Sequence, residues 1–516
     1  MKAPAPPPVR LAEVLGALAM AADSSAGLPA GTSLGAAVVA ARVGAALGLP
    51  EAQRAAHFHA TVLRFSGCTV GAHESTHVFR SGDDRAMNRL YAETDLGDPP
   101  AFYQATQDRL AAHLDPAARA EAIGAVLGDL PAFIEMGVAH CELARQIAER
   151  LGLGPEVMAS LAQVYERPDG MGFPRGLSGE DVDLGARVMR LASTTELFRR
   201  VGGLPLALEV AAQRRGGELD PALADLYRTE ARALTAGLSA PVTWDLYLDA
   251  EPGCGAVVPR EALPDMARAL AWMVDHKSVW TLSHSTGVAR LAGQAARLAG
   301  LPDPDQVEIA ACLHDLGRAA VANQIWDKPS ALSPAERRAV TAHSAATEAA
   351  LECSAGLAPY RAIAGHAHER ADGSGYPRRA QAVATGAEAA VLAAADMYHA
   401  LTEARPWRTA FSPSVAADML REEARSGRLA APAVGAVLDA AGLPRARSEP
   451  WPGGLTDREI EVLRLIARGR SNRQAATRLG VSPKTIDNHV QHIYEKIGVS
   501  TRAGAALYAV KRGLMS

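Results

Sequence analysis

The sequence of 516 residues contains an internal repeat, and this repeat constrains the possible folds more than any other feature. A stretch in the first half of the chain aligns without a gap with a stretch 203 positions later. The matching pairs are Ala139-His140 with Ala342-His343, Glu166–Pro174 with Glu369–Pro377, and position Ser193 with position Asp396. Further upstream, Leu63–Gly67 aligns with Leu313–Gly317 at an offset of 250. The sequence therefore predicts two diverged copies of one folding unit in tandem.

The composition favours helices as the main secondary structure. Hydrophobic residues make up 48% of the chain and aromatic residues only 5%, so the core must be built mostly from aliphatic side chains. Apolar residues recur with helical period, and alternating β-branched runs are scarce. We predict an all-α fold with domains at 1–255, 256–441 and 455–516, and a Pro- and Gly-rich linker at 442–454.

The cysteines and the N-terminus bear on the cellular compartment. The five cysteines are odd in number and form no C-x-x-C pair, which argues against a disulfide framework or a zinc finger and favours a reducing cytoplasm. The apolar run near the N-terminus has only about a dozen residues and contains Glu13, so it is too short for a membrane span. We expect a cytoplasmic protein with no membrane partner.

Charge is distributed unevenly along the chain. The net charge is −4 overall, yet the residues from Gly453 to Ser516 include eleven Lys or Arg against five Asp or Glu. The tail therefore has a net charge of +6 and the preceding body −10. This asymmetry indicates that the tail binds a polyanion.

The second copy of the repeat carries imidazole and carboxylate side chains that the first copy lacks. A single histidine is more often an ordinary core or surface residue, but here a whole set recurs: His284, His314, Asp315, His343, His366, His368 and Asp396. The first copy keeps only His140, and its other equivalents are Thr32, Arg64, Phe65, Tyr165 and Ser193. Such ligands without thiolates are typical of Fe, Mn or Zn sites, and a bridging carboxylate between two ions suits the activation of water. We predict a metal site in the second copy only, and a structural or sensory role for the first.

Residues 262 to about 425 resemble an HD-GYP domain, a branch of the HD metal-dependent phosphohydrolases. The matching stretches are DHKSVWTLSHSTGVA, ACLHDLGR, LSPAERRAVTAHS, HAHERADGSGYP and AAADMYHALTEARPWR. The resemblance implies two divalent metal ions, with ligands His284, His314, Asp315, His343, His368 and Asp396. It also implies that cyclic di-GMP is the usual substrate, that Asp315 and Arg318 act in catalysis, and that the substrate is bound by Arg318, Gly375, Tyr376 and Pro377.

The second copy departs from the family pattern at three places. The family has two consecutive histidines before a glutamate, whereas this chain has Ala367-His368-Glu369 with His366 one position earlier. The lysine that closes the HDxGK motif is Arg318 here, which replaces a point charge by a guanidinium fork. The GLxGxxI stretch that follows GYP in the family reads RRAQAVATG. These departures leave open whether the domain is an active phosphodiesterase.

The basic tail carries the start and stop signals of several short helices. Thr456 and Glu459 form a capping box for a helix that runs to about Ala467. Further capping signals predict a helix from Ser471 to Gly480 and a third from Lys484 to about Ile497. The short connection between the last two predicts a helix-turn-helix motif.

Residues 454–510 resemble the LuxR-type DNA-binding domain over essentially their whole length, which implies a four-helix module. The resemblance implies a core of Leu463, Ile466, Ala475, Leu479, Val481, Ile486, Val490, Ile493 and Ile497. It places in the major groove Lys484, Thr485, Asn488, His489 and His492, and on phosphates Arg473 and Lys496. Asp487 stands where family members often have lysine, which favours a different base preference.

We interpret the chain as a LuxR-type transcriptional regulator that binds double-stranded DNA, works as a homodimer, and carries an HD-GYP-like metal-dependent domain for cyclic di-GMP or a related nucleotide. Two alternatives stay open. In one, the domain is an inactive pseudoenzyme that gates DNA binding. In the other, the chain is a phosphodiesterase that the helix-turn-helix motif merely localises.

Overall fold

The structure is a computed structural model, and two compact units, Met1–Leu443 and Pro444–Ser516, divide the chain. It describes residues 8–79, 83–109, 114–128, 130–238, 244–253, 255–352, 354–443, 452–512 and 514. Almost all secondary structure in these residues is helical, which confirms the predicted all-α fold. The sheet present in the described part of the chain is one antiparallel pair, β1 (Val9–Arg10) with β2 (Val257–Val258).

The first copy of the repeat contains helices α1 to α12. Their bounds are α1 Leu11–Ser25, α2 Thr32–Ala46, α3 Glu51–Val62, α4 Ala72–Phe79, α5 Asp84–Glu93, α6 Pro99–Arg109, α7 Pro116–Gly128, α8 Leu130–Arg150, α9 Pro155–Leu161, α10 Leu184–Gln213, α11 Pro221–Leu234 and α12 Trp244–Ala250. Helix α10 is kinked where Gly202 and Gly203 leave helical geometry, ahead of Pro205. A short 3-10 helix covers Gly179–Asp181.

The second copy contains helices α13 to α21. Their bounds are α13 Leu263–Asp275, α14 His284–Leu298, α15 Pro304–Leu313, α16 Asn323–Trp326, α17 Pro334–Glu352, α18 Ala358–Ala364, α19 Ala382–Thr402, α20 Pro413–Arg425 and α21 Ala431–Ala440. Short 3-10 helices cover Arg260–Ala262 and Leu316–Ala320. Helix α19 has a kink at Gly386, where φ is 77°.

Equivalent hydrogen bonds show that the two copies share one local fold. Asp23 accepts from the backbone and hydroxyl of Ser33, and Asp275 accepts in the same way from Ser285, 252 positions later. The loop after the Glu-Arg pair closes with a bridge between Asp169 and Ser178 in the first copy, and between Asp372 and Gln381 in the second. The internal repeat of the sequence is therefore a repeat of the structure.

The two copies pack around a common apolar core. One cluster of buried residues runs from Val9 to Leu438, and alanine, valine and leucine dominate it, as the low aromatic content predicts. A buried ion pair joins Asp84 of the first copy to Lys277 of the second. In the described residues, no helix is both long and apolar enough to span a membrane. The predicted boundary between residues 255 and 256 stays a prediction, because both copies belong to one compact unit.

The second unit forms four helices: α22 Asp457–Ala467, α23 Asn472–Leu479, α24 Pro483–Ile497 and α25 Arg502–Lys511. Both predicted capping boxes are present, at Thr456 with Glu459 and at Ser471 with Gln474. Gly480 ends α23 in the left-handed conformation, and the Ser482 hydroxyl accepts from the Thr485 backbone at the start of α24. Of the predicted core, five residues are fully buried and four partly buried: Leu463, Ile466, Ala475, Ile486 and Ile493, then Leu479, Val481, Val490 and Ile497.

Candidate metal centre and DNA-binding surface

Five helices of the second copy converge on the predicted metal ligands. His284 is the first residue of α14, His314 and Asp315 follow α15, His343 lies in α17, His368 follows α18, and Asp396 lies in α19. All six are buried. Gly317 permits this convergence, because a Cβ there would overlap the carbonyl oxygen of His343. The structure therefore brings together ligands that are more than 100 positions apart in the sequence.

The Asp315 carboxylate lies between two pairs of histidines. Its Oδ1 is 3.2 Å from His343 Nε2 and 3.5 Å from His368 Nε2. Its Oδ2 is 3.5 Å from His314 Nε2 and 3.8 Å from His284 Nε2. One carboxylate thus faces two groups of nitrogen donors, one with each oxygen.

The Asp396 carboxylate repeats this arrangement. Its Oδ1 is 3.3 Å from His284 Nε2 and 3.8 Å from His314 Nε2, while its Oδ2 is 3.3 Å from His368 Nδ1. In the described residues three trios have donor atoms within 4.8 Å of one another: His284, His314 and Asp396; His314, Asp315 and His368; and His284, His399 and Glu403. These imidazole and carboxylate donors suit a divalent transition metal.

The orientation of the imidazole rings fits metal binding. His314 Nδ1 and His343 Nδ1 bond to the backbone oxygens of Ala311 and Val340, so that their Nε2 atoms turn toward the carboxylates. His314 Nε2 and Asp315 Oδ1 are buried and make no well-formed hydrogen bond. Buried polar atoms without such a bond are costly unless a ligand satisfies them, so the residues present fit a divalent metal centre.

Opposite charges shift the pKa values of several groups in this cluster, whereas burial lowers the pKa of His343. Burial opposes protonation of His284, but the carboxylates of Asp396 and Glu403 outweigh it and raise its pKa to about 9. The pKa of His368 also rises to about 9, since Asp315 and Asp396 outweigh its burial. Burial would raise the pKa of Asp315, yet His314 and Arg318 hold it well below its usual value. The centre therefore favours positive charge on its nitrogen side, which a metal ion supplies on displacing protons.

Glu403 and Arg405 form an outer layer behind His284 that the sequence reading missed. Glu403 Oε2 lies 2.8 Å from His284 Nδ1, and Arg405 Nη2 donates to the same oxygen at 2.7 Å. His399 Nδ1 is 3.2 Å from the other oxygen of Glu403. Outer carboxylates orient metal-binding imidazoles and increase their basicity. Glu403 and Arg405 are visible in the sequence as a Glu-x-Arg pair shortly after Asp396. Their spacing alone does not indicate that they contact His284.

A cavity of about 270 Å³ opens onto the centre. Arg318 Nη1 donates to Asp315 Oδ2 at 2.9 Å, and its guanidinium lies 4.2 Å from the centre of the Trp326 ring. Tyr376 stacks on His368 with ring centres 5.2 Å apart. Both Arg318 and Tyr376 line the cavity.

Other residues of the predicted substrate loop have different positions. A Cβ on Gly375 would overlap the Arg370 backbone nitrogen, so this glycine permits the loop to fold on itself. Neither Gly375 nor Pro377 is among the residues that line the cavity. His366 bonds to the Ala362 carbonyl oxygen and belongs to none of the metal-ligand groups found in the described residues.

The first copy has a packed interior where the second has its metal centre. His140 Nε2 bonds to the Arg64 carbonyl oxygen at 2.9 Å, and its Nδ1 is 3.3 Å from the Tyr165 hydroxyl. Tyr165 stacks on Phe173, with ring centres 4.8 Å apart, as His368 stacks on Tyr376 in the second copy. In the described part of the first copy no group of metal ligands forms.

Helix α24 presents the predicted groove-contacting residues along one side. Lys484, Asn488 and His492 are exposed at a spacing of four residues, and Thr485 and His489 beside them are half-buried. Arg473 on α23 is also exposed. Lys496, the other predicted phosphate contact, donates through its Nζ to Glu459 Oε2 at 2.7 Å and so joins α24 to α22. Asp487 Oδ1 accepts from Asn472 Nδ2 at 2.6 Å, so this carboxylate joins α23 to α24.

Family models match both units of the chain. A model described as HD domain matches residues 134–215 and 268–431, which lie in the two copies of the repeat. A model described as bacterial regulatory proteins of the luxR family matches residues 454–509.

Similar proteins include cyclic dinucleotide phosphodiesterases. The 3'3'-cGAMP-specific phosphodiesterase 3 of Vibrio cholerae serotype O1 is 27% identical over 429 residues, which cover 80% of this chain and 90% of the relative. A cyclic di-GMP phosphodiesterase response regulator of Xanthomonas campestris pathovar campestris is 32% identical over 174 residues, 33% of this chain and 44% of that protein. A crystal structure of a cyclic GMP-AMP specific phosphodiesterase of V. cholerae has a TM-score of 0.57 at 24% identity, covering 85% of this chain and 99% of that one. This last likeness shows a shared fold.

Proposed function

We propose that this chain, which combines an HD domain with a C-terminal regulatory domain of the LuxR family, is a DNA-binding regulator whose second repeat hydrolyses a 3'3'-linked cyclic dinucleotide. The observation that carries the proposal is the position of Asp315 between two histidine pairs at the base of an open cavity. The names of the relatives, which act on cyclic GMP-AMP or cyclic di-GMP, support the substrate class.

Six side chains would hold two divalent ions: His284, His314, Asp315, His343, His368 and Asp396. When bound, such ions supply Lewis acidity and lower the pKa of a water molecule that attacks phosphorus. Fe, Mn and Zn all suit imidazole and carboxylate donors.

Arg318 and Tyr376 prepare the cavity for a phosphodiester. The Arg318 guanidinium is fixed by Asp315 on one edge and by the Trp326 ring on its face, so its remaining N–H groups are oriented before substrate binds. A guanidinium held in this way binds a phosphate oxygen and stabilises the charge that develops on it. Tyr376 holds the His368 ring by stacking and closes one wall of the cavity.

The tail would bind duplex DNA through α24 in the major groove, with Lys484, Asn488 and His492 toward the bases. Arg473, which is exposed at the start of α23, would contact phosphate. We propose that the chain acts on DNA as a homodimer, as the twofold pairing of half-sites requires in this class of domain.

Measurements on one Asp315→Ala sample test the proposal. Removing this carboxylate leaves cations uncompensated in a buried site, so metal content and hydrolysis of 3'3'-cGAMP or cyclic di-GMP should both be lost. Wild-type protein loaded with metal that yields no product by chromatography would contradict the enzymatic proposal.

The second candidate is a pseudoenzyme in which the metal site only gates DNA binding, and the Ala367-His368 departure from the family pattern favours it. It predicts that operator affinity changes in Asp315→Ala although wild-type protein forms no product. An active enzyme merely localised by its tail predicts product and unchanged operator affinity.

A further inference from the structure

Arg370 in the second copy and Arg167 in the first occupy equivalent positions but have different partners. Arg167 is held by two carboxylates, because it donates to Asp95 and, at 2.6 Å, to Asp169 Oδ2. Arg370 donates to the backbone oxygen of the preceding residue at 2.9 Å and has no carboxylate within 4 Å among the described residues. Arg370 is among the residues that line the cavity beside the candidate metal ligands, and it also lines a neighbouring cavity.

The partner that Arg370 lacks is engaged elsewhere. Asp372, the equivalent of Asp169, accepts from the backbone and hydroxyl of Ser374 at 2.9 and 2.6 Å. The first copy has Met171 at the position of Ser374, so its aspartate has no such hydroxyl and turns to Arg167. The second copy thus presents to the cavity a guanidinium that forms no ion pair within 4 Å among the described residues, although its charge reaches Glu423. A phosphate group is a complementary ligand for it.

Trp407 lies on a tight turn at the same cavity. The backbones of Arg405 and Arg408 bond to each other in both directions, at 2.8 and 3.0 Å. Arg408 fixes the turn further by donating to the carbonyl oxygens of Leu401 and Glu403. Trp407 nevertheless stays 53% exposed. An exposed indole leaves a large apolar surface in contact with water, which is unfavourable. A nucleobase stacked on the ring would bury this surface.

The volume of the cavity is consistent with a ligand that extends beyond it to Trp407. At about 270 Å³ it lies below the roughly 300–1,000 Å³ of pockets that enclose a drug-sized ligand, and a cyclic dinucleotide is larger than such ligands. A cavity of this size would hold one nucleotide, and the other would extend over its mouth. Resting on the proposed function, we infer that Arg370 and Trp407 form the subsite for this second nucleotide, Arg370 binding its phosphate and Trp407 stacking on its base.

The test compares two substrates on the full-length, metal-loaded protein. The first is 3'3'-cGAMP, and the second is methyl p-nitrophenyl phosphate, a diester with one phosphate and no nucleobase. Arg370→Ala and Trp407→Ala should each lower the ratio of kcat/KM for the dinucleotide to kcat/KM for the small diester about tenfold, mainly through KM. Trp407→Phe, which keeps an aromatic face, should restore most of the ratio.

Arg425→Ala is the matched control, because Arg425 is exposed and its ion pair in the described residues is with Glu422 on the surface of α20. It should leave the ratio within twofold of wild type. A ratio unchanged in Arg370→Ala and Trp407→Ala would overturn the subsite, as would equal losses on both substrates.

Equilibrium dialysis separates failure of the subsite from failure of the proposed function. If wild-type protein hydrolyses neither substrate, the enzymatic proposal fails, and binding of 3'3'-cGAMP decides the subsite alone. Tenfold weaker binding in both variants supports it. Equal binding, or no binding by wild type, overturns it.

Discussion

Glu403→Gln tests how the outer carboxylate supports the metal centre. In the wild-type protein Glu403 Oε2 lies 2.8 Å from His284 Nδ1. The substitution keeps the shape of the side chain and an oxygen that can accept this hydrogen bond, but it removes the negative charge. The carboxylates of Asp396 and Glu403 raise the pKa of His284 to about 9 against the opposing effect of its burial. Loss of an outer partner of a metal-binding imidazole costs about 10- to 100-fold in metal affinity, so we expect a loss of about tenfold for Glu403→Gln, which keeps the side chain in place.

Competition between the protein and a chromophoric chelator measures this change for Mn²⁺ and Zn²⁺ at fixed pH. Glu422→Gln is the control, because Glu422 is exposed on α20 and pairs with Arg425. The Glu403→Gln variant should bind metal about tenfold more weakly and release fewer protons on binding, since its apo form holds His284 less firmly protonated. Metal affinity equal to that of wild type would refute the role assigned to Glu403.

Three further outcomes follow from other parts of the molecule. Burial raises the pKa of Asp23 from 3.8 to about 7 against hydrogen bonds from Ser33, so the folded state keeps a proton that the unfolded chain loses, and stability falls by up to about 4 kcal/mol as pH rises from 4 to 7. Asp23→Asn should flatten this dependence in urea unfolding, and an unaltered slope would contradict it. Ser283 has a left-handed backbone conformation, with φ at 64°, at the position where the first copy has Gly31. Ser283→Gly should therefore raise the free energy of unfolding by about 1 kcal/mol. A lower melting temperature of the variant would contradict this. Lys484→Ala should reduce the salt slope of DNA binding by about one and Lys496→Ala by less, because Lys496 already pairs with Glu459; equal reductions would show that the pair opens on DNA.

The histidines and aspartates of the second copy could be singled out from the sequence because the two copies could be compared with each other, and the structure brings these side chains together. That they bind metal stays a prediction. Where the first copy has Phe65 and Ser193, the second has Asp315 and Asp396. Carboxylates at positions where the other copy has an apolar or a neutral side chain indicate a chemical role that the first copy lacks. The helices of the tail were equally predictable, because their caps are local and each depends on residues three positions apart.

Partners that depend on tertiary contacts were not predictable. The pairing of Lys496 with Glu459 joins residues 37 positions apart, and a basic residue on a helix gives no sign of it. Arg370 and Arg167 look alike in the two copies, and only the position of Ser374 beside Asp372 distinguishes them. The common core was not predictable either. In the sequence of one copy, an apolar helix face that packs against the other copy looks the same as one that packs within its own copy.

Metal content per chain tests the central claim most directly, that Asp315 and Asp396 join two cation positions in the second copy. Elemental analysis of full-length protein purified without chelator should give about two divalent ions per chain, the number that the paired donor groups accommodate. Asp315→Ala should lose them, while His140→Ala, in the packed interior of the first copy, should retain both. Full metal content in Asp315→Ala, or a loss in His140→Ala as large as in Asp315→Ala, would contradict the account.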